Sequence, residues 1–288
     1  MKTIGIVSNI DRDIKLEHTS ILIKDILDKG GTVRVDSSIL KSLKIKDKNI
    51  LRGDVFEKSD IIICLGGDGT FLNIAKNAYK NDLPLLGINT GRVGFLTEME
   101  KDGIHAVAES ILEEKYGIEE RMMLDFVVYR DGKIIAQDFA LNDVVISRVA
   151  LSRILHVETY INNTFVDSFP GDGLIISSPT GSTGYSLSAG GPIVEPDIEL
   201  LIVTPICPHI LYSKSFITTG ERIVKAVIEE KYVHDAMITI DGQKGYSIKG
   251  GDEVQVKKAT KPLQIIRMND RNFFDVLRKK IYERGEIK

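Results

Sequence analysis

Cysteine is scarce in this chain: its 288 residues hold two, Cys64 and Cys207, far apart in sequence. That argues against a small secreted fold held by disulfides. Cys64 lies in the apolar run Ile61-Ile62-Ile63-Cys64-Leu65 and reads as a small buried thiol. No apolar stretch approaches the roughly 20 residues needed to cross a bilayer. Met1 to Val7 enters a strand-like run without the apolar segment and cleavage site of a signal peptide. The expectation is a cytoplasmic protein with no membrane partner. There is no surplus of positive charge: 38 Lys and Arg stand against 41 Asp and Glu, net -3. A general nucleic-acid surface is not expected, and Arg278-Lys279-Lys280 reads as a solvated helix face. The five histidines are scattered, and Cys-x-x-Cys and His-Glu-x-x-His are absent, so no protein-built metal cluster is expected. Gly-x-Ser-x-Gly is missing, which removes a common hydrolase pattern. So are the Gly-x-x-x-x-Gly-Lys-Ser/Thr P-loop and the Gly-x-Gly-x-x-Gly fingerprint, which removes P-loop kinases and ordinary Rossmann dehydrogenases.

What is present suits a soluble globular protein: 43% hydrophobic and 27% charged residues, enough for a sizeable core. The length allows one large domain or two ordinary ones. In the first third, short apolar strands (4–9, 32–36, 61–65, 84–89) alternate with helical spacing over 15–29 and 70–79. Helices between apolar strands predict a parallel sheet with crossover helices. After about Gly117, strand candidates follow one another, with Asp131-Gly132 and Asn162-Asn163 as hairpin turns. That predicts an antiparallel, sandwich-like region. From about Asn269 the spacing is helical again. The expected division is 1–117, an α/β domain completed by about 269–288, and 118–268, a β-rich domain.

Four segments carry candidate chemistry. The strand 61–65 ends in Gly66-Gly67-Asp68-Gly69-Thr70. Glycines at a strand-to-helix corner let the backbone turn tightly and approach a ligand, and a helix start favours phosphate. Asp68 repels the anion such a corner attracts, so its carboxylate reads as a base or a metal partner. A plain Asp-Gly turn with Thr70 as helix cap is the alternative. The second segment, Asn89 to Thr97, also leaves a strand end. There Arg92 could pair with phosphate and Phe95 could pack on a flat ring, or they are a surface Arg and a core Phe. The third is Leu141-Asn142-Asp143, where Asn142 matches an adenine edge and Asp143 accepts from ribose hydroxyls; alone it is a turn signal. The fourth runs from Asp172 to Pro192, dense in Ser, Thr and Gly around Tyr185, between apolar strands where a linker has no purpose.

Together, in order and spacing, these segments resemble the NAD kinase family, over most of the chain from Ile4 to about Gln243. The resemblance implies an α/β domain, then a β-sandwich-like domain, with the C-terminal segment returning to the first. It implies transfer of a phosphoryl group from ATP or polyphosphate to the 2′-hydroxyl of the adenosine ribose of NAD, giving NADP. Asp68 would accept the proton of that hydroxyl. Gly66, Gly67, Gly69 and Thr70 would lie at the phosphates. Phe95, Asn142 and Asp143 would hold the adenosine half. Asp172, Thr183, Gly184, Tyr185, Ser186 and Ser188 would hold the rest, with Tyr185 against a ring. Arg153 and Gln243 fall on family binding positions. The family works with a divalent metal, usually Mg²⁺, and forms homodimers or homotetramers. Many relatives have alanine at the position of Gly184 and a basic side chain at that of Asn73, so no phosphate contact is assigned to Asn73. A lipid kinase shares the glycine-Asp-glycine corner but leaves the other segments unexplained. A non-catalytic NAD(P) sensor leaves Asp68 unexplained.

Overall fold

The computed structural model describes residues 2–43, 45–91, 94–100, 103–149, 154–210, 213–231, 235–269 and 272–285. The chain forms two units, Met1–Glu120 with Leu263–Lys288, and Arg121–Pro262. In the first, β1 (Thr3–Ser8), α1 (Glu17–Asp28), β2 (Thr32–Val35), α2 (Ser37–Ser42), β3 (Ile50–Arg52) and β4 (Ile61–Gly66) follow in order. Then come α3 (Asp68–Lys80), β5 (Leu85–Asn89), β6 (Met99–Glu100), α4 (Ile104–Leu112) and β7 (Gly117–Arg121). Strands lie in the order β3-β2-β1-β4-β5, each pair parallel. β4 and β5 are buried along their whole length and apolar but for Asn89 at the end of β5, as parallel strands covered on both faces must be. On one face Leu22, Ile23 and Ile26 of α1 and Val107 and Ile111 of α4 pack on Ile4, Ile6, Ile63, Leu65 and Ile88. Each such side chain contributes about 1.5–3 kcal/mol by leaving water.

Two helix starts differ from the sequence expectation. α1 begins at Glu17, because Lys15 and Leu16 adopt φ of 57° and 54° around a 3₁₀ turn. The buried Asp13 carboxylate takes over the capping, accepting the His18 and Thr19 N–H groups at 3.0 and 2.9 Å. α3 begins at Asp68, two residues before the expected Thr70. The Gly67 carbonyl already accepts the Phe71 N–H at 3.0 Å, which closes the first turn there. Thr70 is therefore not the cap.

The second unit is two six-stranded antiparallel sheets. Its elements are β8 (Leu124–Arg130), β9 (Lys133–Ala140), β10 (Asp143–Arg148), β11 (Leu155–Ile161), β12 (Thr164–Gly171), β13 (Gly173–Ser177) and α5 (Tyr185–Ser188). β14 (Leu200–Ile206), β15 (Phe216–Thr219), β16 (Val224–Ile228), β17 (Asp235–Ile240), β18 (Lys244–Lys249) and β19 (Glu253–Lys258) complete it. One sheet runs β15-β14-β13-β10-β17-β18, the other β12-β11-β16-β19-β8-β9. Alternate residues of both, such as Phe126, Val128, Val254 and Val256 against Val144, Ile146, Leu174 and Ile238, share one core. Two-residue hairpins turn at Asp131-Gly132 (φ 51° and 73°) and Asn162-Asn163 (46° and 67°), and a three-residue turn, 241–243, joins β17 to β18 with Asp241 and Gly242 at 49° and 66°. Positive φ at both central positions is what a type I′ two-residue hairpin turn requires.

The chain then returns to the first unit as β20 (Leu263–Arg267) and α6 (Phe273–Gly285). β20 lies between β5 and β7. Residues 263–268, expected in the β-rich region, thus supply a strand of the first sheet. Leu263, Ile265 and Ile266 are buried there, and Arg267 pairs with Glu98 and Glu119.

Candidate active site

The strand order 3-2-1-4-5 reverses between β1 and β4, and ligands of such sheets bind beyond the carboxyl ends of the strands at that reversal. The loops leaving β1, β4 and β5 meet there. Asn9, just past β1, donates from Nδ2 to Thr70 Oγ1 at 3.1 Å. The Thr90 N–H reaches the Gly66 carbonyl at 3.3 Å. Gly66 has no room for a side chain beside Thr70, while at Gly67 one would have to displace the mobile end of Arg12. A Cβ on Gly66 would stand 2.6 Å from Thr70 Oγ1, and one on Gly67 2.6 Å from Arg12 Nη1. A Cβ on Gly69 would meet nothing within 4 Å, and Gly69 is exposed. Arg12 is exposed, and its guanidinium has no acidic partner among the described residues. The sequence reading passed over it, since a lone Arg in a polar loop carries no spacing signal.

Asp68, in the first turn of α3, is fixed by the loop after β5. Its carboxylate accepts the Phe95 and Leu96 N–H groups at 2.9 and 3.2 Å. A Cβ on Gly94 would lie 1.8 Å from Asp68 Oδ1, so glycine is what allows the approach. Thr97 Oγ1 holds this loop, taking Asn89 Nδ2 at 3.1 Å and the Gly94 N–H at 3.3 Å. The half-buried Phe95 ring lies 6.2 Å from that of Phe273. Behind the corner, burial pushes the Cys64 thiol up to about 12, with the Asp68 charge adding to it.

In the second unit, Asn142 and Asp143 open β10. The carboxylate of Asp241 grips their backbone from the β17–β18 turn, accepting the N–H groups of Leu141, Asn142 and Asp143 at 2.9, 2.8 and 3.1 Å. Asp143 is 5% exposed. Burial, then the Asp241 charge, raises its carboxyl from 3.8 to about 7. Asn142 Oδ1 is buried and accepts no hydrogen bond from the described residues. An orphaned acceptor of this kind suits a ligand N–H donor. The segment after β13 folds over these two residues as a 3₁₀ turn (Thr180–Thr183) followed by α5. Measured from an ideal Cβ on Gly184, Asn142 Nδ2 is 3.6 Å away and Asp143 Oδ2 3.8 Å.

Not every hydroxyl of that segment faces outward. Ser186 is buried against Thr204 at 3.1 Å, and Thr183 Oγ1 donates to the Thr180 carbonyl at 3.3 Å. Tyr185 and Ser188 are exposed. Asp172 pairs with Arg148 Nε at 2.7 Å. Gln243 is exposed, just beyond the turn that carries Asp241. Arg92 and Arg153 lie outside the described residues. Asp241 is the residue the sequence reading missed here. Its Asp-Gly pair signals the hairpin, but not a grip on a strand start 98–100 residues earlier in the chain.

Fold and corner define a class: doubly wound α/β proteins that handle phosphate, here carrying a β-sandwich as a second unit. Residues 4–116 match the family described as ATP-NAD kinase N-terminal domain, and 141–268 the ATP-NAD kinase C-terminal domain. An NAD kinase of Acetivibrio thermocellus is 54% identical over 286 residues, covering 99% of each chain. An NAD kinase of Ruminiclostridium cellulolyticum is 48% identical, covering 99% of this chain and all of its own. In fold, the chain is similar to yeast NADH kinase complexed with NADH (TM-score 0.86, 20% identity, covering 100% of this chain and 89% of that one). It is also similar to an NAD kinase from Archaeoglobus fulgidus in complex with ATP (TM-score 0.74, 24% identity, covering 97% and 98%). The chain belongs to the NAD kinase family.

Proposed function

We propose that this chain transfers a phosphoryl group from ATP or polyphosphate to the 2′-hydroxyl of the adenosine ribose of NAD, producing NADP. The observation that carries the mechanism is the held carboxylate of Asp68, fixed by two backbone N–H groups amid glycines at a helix start. A site that only bound phosphate would gain nothing from an acid there. In this reading Asp68 takes the ribose proton as the oxygen attacks. Gly66, Gly67, Gly69 and Thr70 hold the donor phosphates, with the exposed Arg12 beside them. Asn142 offers its orphaned Oδ1 to the adenine amine, Asp143 accepts from the ribose, and Phe95 packs on the adenosine. Asp172, Thr183, Gly184, Tyr185, Ser186, Ser188, Gln243 and Arg153 serve the rest of NAD. Positioning and charge stabilisation supply most of the acceleration.

We assign Mg²⁺ as the metal. The described residues hold no cluster of three or more His, Cys, Asp or Glu. A single carboxylate, Asp68, fits an ion held chiefly by donor phosphates and water. When bound, the ion neutralises phosphate charge. We place the enzyme in the cytoplasm, and no described helix is long and apolar enough to cross a membrane. We also assign self-association, supported by exposed Ile134, Ile135, Phe165 and Val166 on the edge strands β9 and β12.

The test is NADP formation by the purified chain with Mg²⁺, NAD and a panel of donors, for wild type and Asp68→Asn. Turnover of the variant is expected to fall by about 10²–10⁴, with NAD affinity within a few-fold. Near-normal turnover in Asp68→Asn would refute the role of Asp68.

A further inference from the structure

β4 covers one edge of β5 from Leu85 to Asn89. The other edge is shared end to end. β20 pairs there at Leu85, through Ile265, and β6 pairs at Ile88 and Asn89. Glu98 stands at the join, its N–H reaching the Gly87 carbonyl at 2.8 Å. Its side chain is wholly buried and turns toward the end of β20, accepting Arg267 Nη1 at 2.9 Å and the Asn269 N–H at 3.1 Å. Arg267 is tied in turn, through Nε, to Glu119 of β7. A carboxylate this deep is tolerated with a cation and further donors, and taking the cation away is strongly unfavourable. The place of Glu98 is therefore set by the C-terminal segment of the chain.

Glu98 also closes the loop that fixes Asp68. Phe95 and Leu96, whose N–H groups hold the Asp68 carboxylate at 2.9 and 3.2 Å, lie just before it in the chain. From Phe95 to Glu98 the backbone spans at most about 10 Å. Within that span Thr97 Oγ1 accepts Asn89 Nδ2 and the Gly94 N–H, which leaves the loop little slack. The same C-terminal segment meets the loop again at Phe273, whose ring lies 6.2 Å from that of Phe95. One segment thus bears on the loop at its end and at a residue that grips Asp68. Reacting groups must be held within about 0.5 Å of productive geometry, and a misplacement of about 1 Å can cost about 10²-fold in rate.

We propose that Arg267 is a positioning residue of the phosphoryl transfer: through Glu98 it locks the loop whose N–H groups aim the Asp68 carboxylate. The inference rests on the kinase reading above. It is tested in the full chain with Arg267→Gln, Arg267→Lys and Glu98→Gln, each alone and combined with Asp68→Asn. NADP formation gives kcat and the KM values for NAD and the donor, and thermal unfolding sets a temperature at which every variant is folded. Glu98→Gln leaves the Arg267–Glu119 pair in place and so disturbs the fold least. In Arg267→Gln and in Glu98→Gln, kcat is expected to fall about tenfold to 10²-fold, with both KM values within about twofold. Arg267→Lys keeps the charge and should recover most of that loss. Added to Asp68→Asn, Arg267→Gln or Glu98→Gln should lower kcat by less than about twofold, because the group being aimed is gone. An equal fall with and without Asp68, or a rise in KM at unchanged kcat, would overturn the positioning role and leave the pair a purely structural bond. A wild type that forms no NADP with any donor would instead overturn the kinase reading.

Discussion

Replacing Asp143 by Asn should make the protein more stable at neutral pH and less able to hold NAD. The carboxyl is 5% exposed and raised from 3.8 to about 7 by burial and by the charge of Asp241. A raised carboxyl pKa means the folded chain holds a proton that the unfolded chain has released. Its stabilising effect is complete below about pH 4 and is lost as pH rises to about 7. At 1.36 kcal/mol per pH unit, moving from 3.8 to about 7 amounts to about 4 kcal/mol. Asn has the same shape and no charge at any pH, and its amide can face Asp241 without repulsion. The variant should match wild type near pH 4, then gain on it until pH 7, and keep a level advantage above. At about 3 °C per kcal/mol, the difference in melting temperature reaches the order of 10 °C. Thermal unfolding of the full chain at several pH values reads this directly. NAD affinity should rise with pH through about 7 in wild type, as the ionised carboxyl becomes a better acceptor for ribose hydroxyls. Asn should flatten that rise. A melting difference that does not change with pH would refute the assignment of a buried, proton-holding carboxyl.

Two further outcomes follow from the geometry. Gly94→Ala puts a methyl where Asp68 Oδ1 now stands 1.8 Å away, so the carboxylate must move. Turnover should fall about 10²-fold with the melting temperature nearly unchanged, measured by NADP formation and thermal unfolding. Asp241→Ala leaves the N–H groups of Leu141, Asn142 and Asp143 without their acceptor. It should cost about 2–4 kcal/mol and raise KM for NAD more than it lowers kcat, read from denaturant unfolding and steady-state kinetics.

The strands β1, β2, β4 and β5 were legible because each is a short apolar run between glycines or polar loops. The hairpins at Asp131-Gly132 and Asn162-Asn163 were legible because few dipeptides tolerate paired positive φ. β20 was not legible: Leu263 to Arg267 resembles any half-buried strand, and its partner β5 is some 180 residues earlier in the chain. The start of α3 was misplaced by two residues because Thr70 looks like a cap. Gly67, extended at φ -109° and ψ -174°, takes that position through its backbone alone. The segments of the candidate site were legible as types of residue. What holds them was not. The Asp68 grip by the Phe95 and Leu96 N–H groups, the Asp241 grip on the start of β10 and the Arg12 position over Gly67 all join residues from different loops.

The position of β20 has a consequence for synthesis. The ribosome releases β1 to β7 of the first unit first, yet β20, which lies between β5 and β7, emerges only after the whole sandwich. The sandwich, contiguous from Arg121 to Pro262, can close while translation continues, whereas the sheet bearing Asp68 must wait for β20. A product truncated before Leu263 would therefore carry a finished sandwich and an unfinished first sheet.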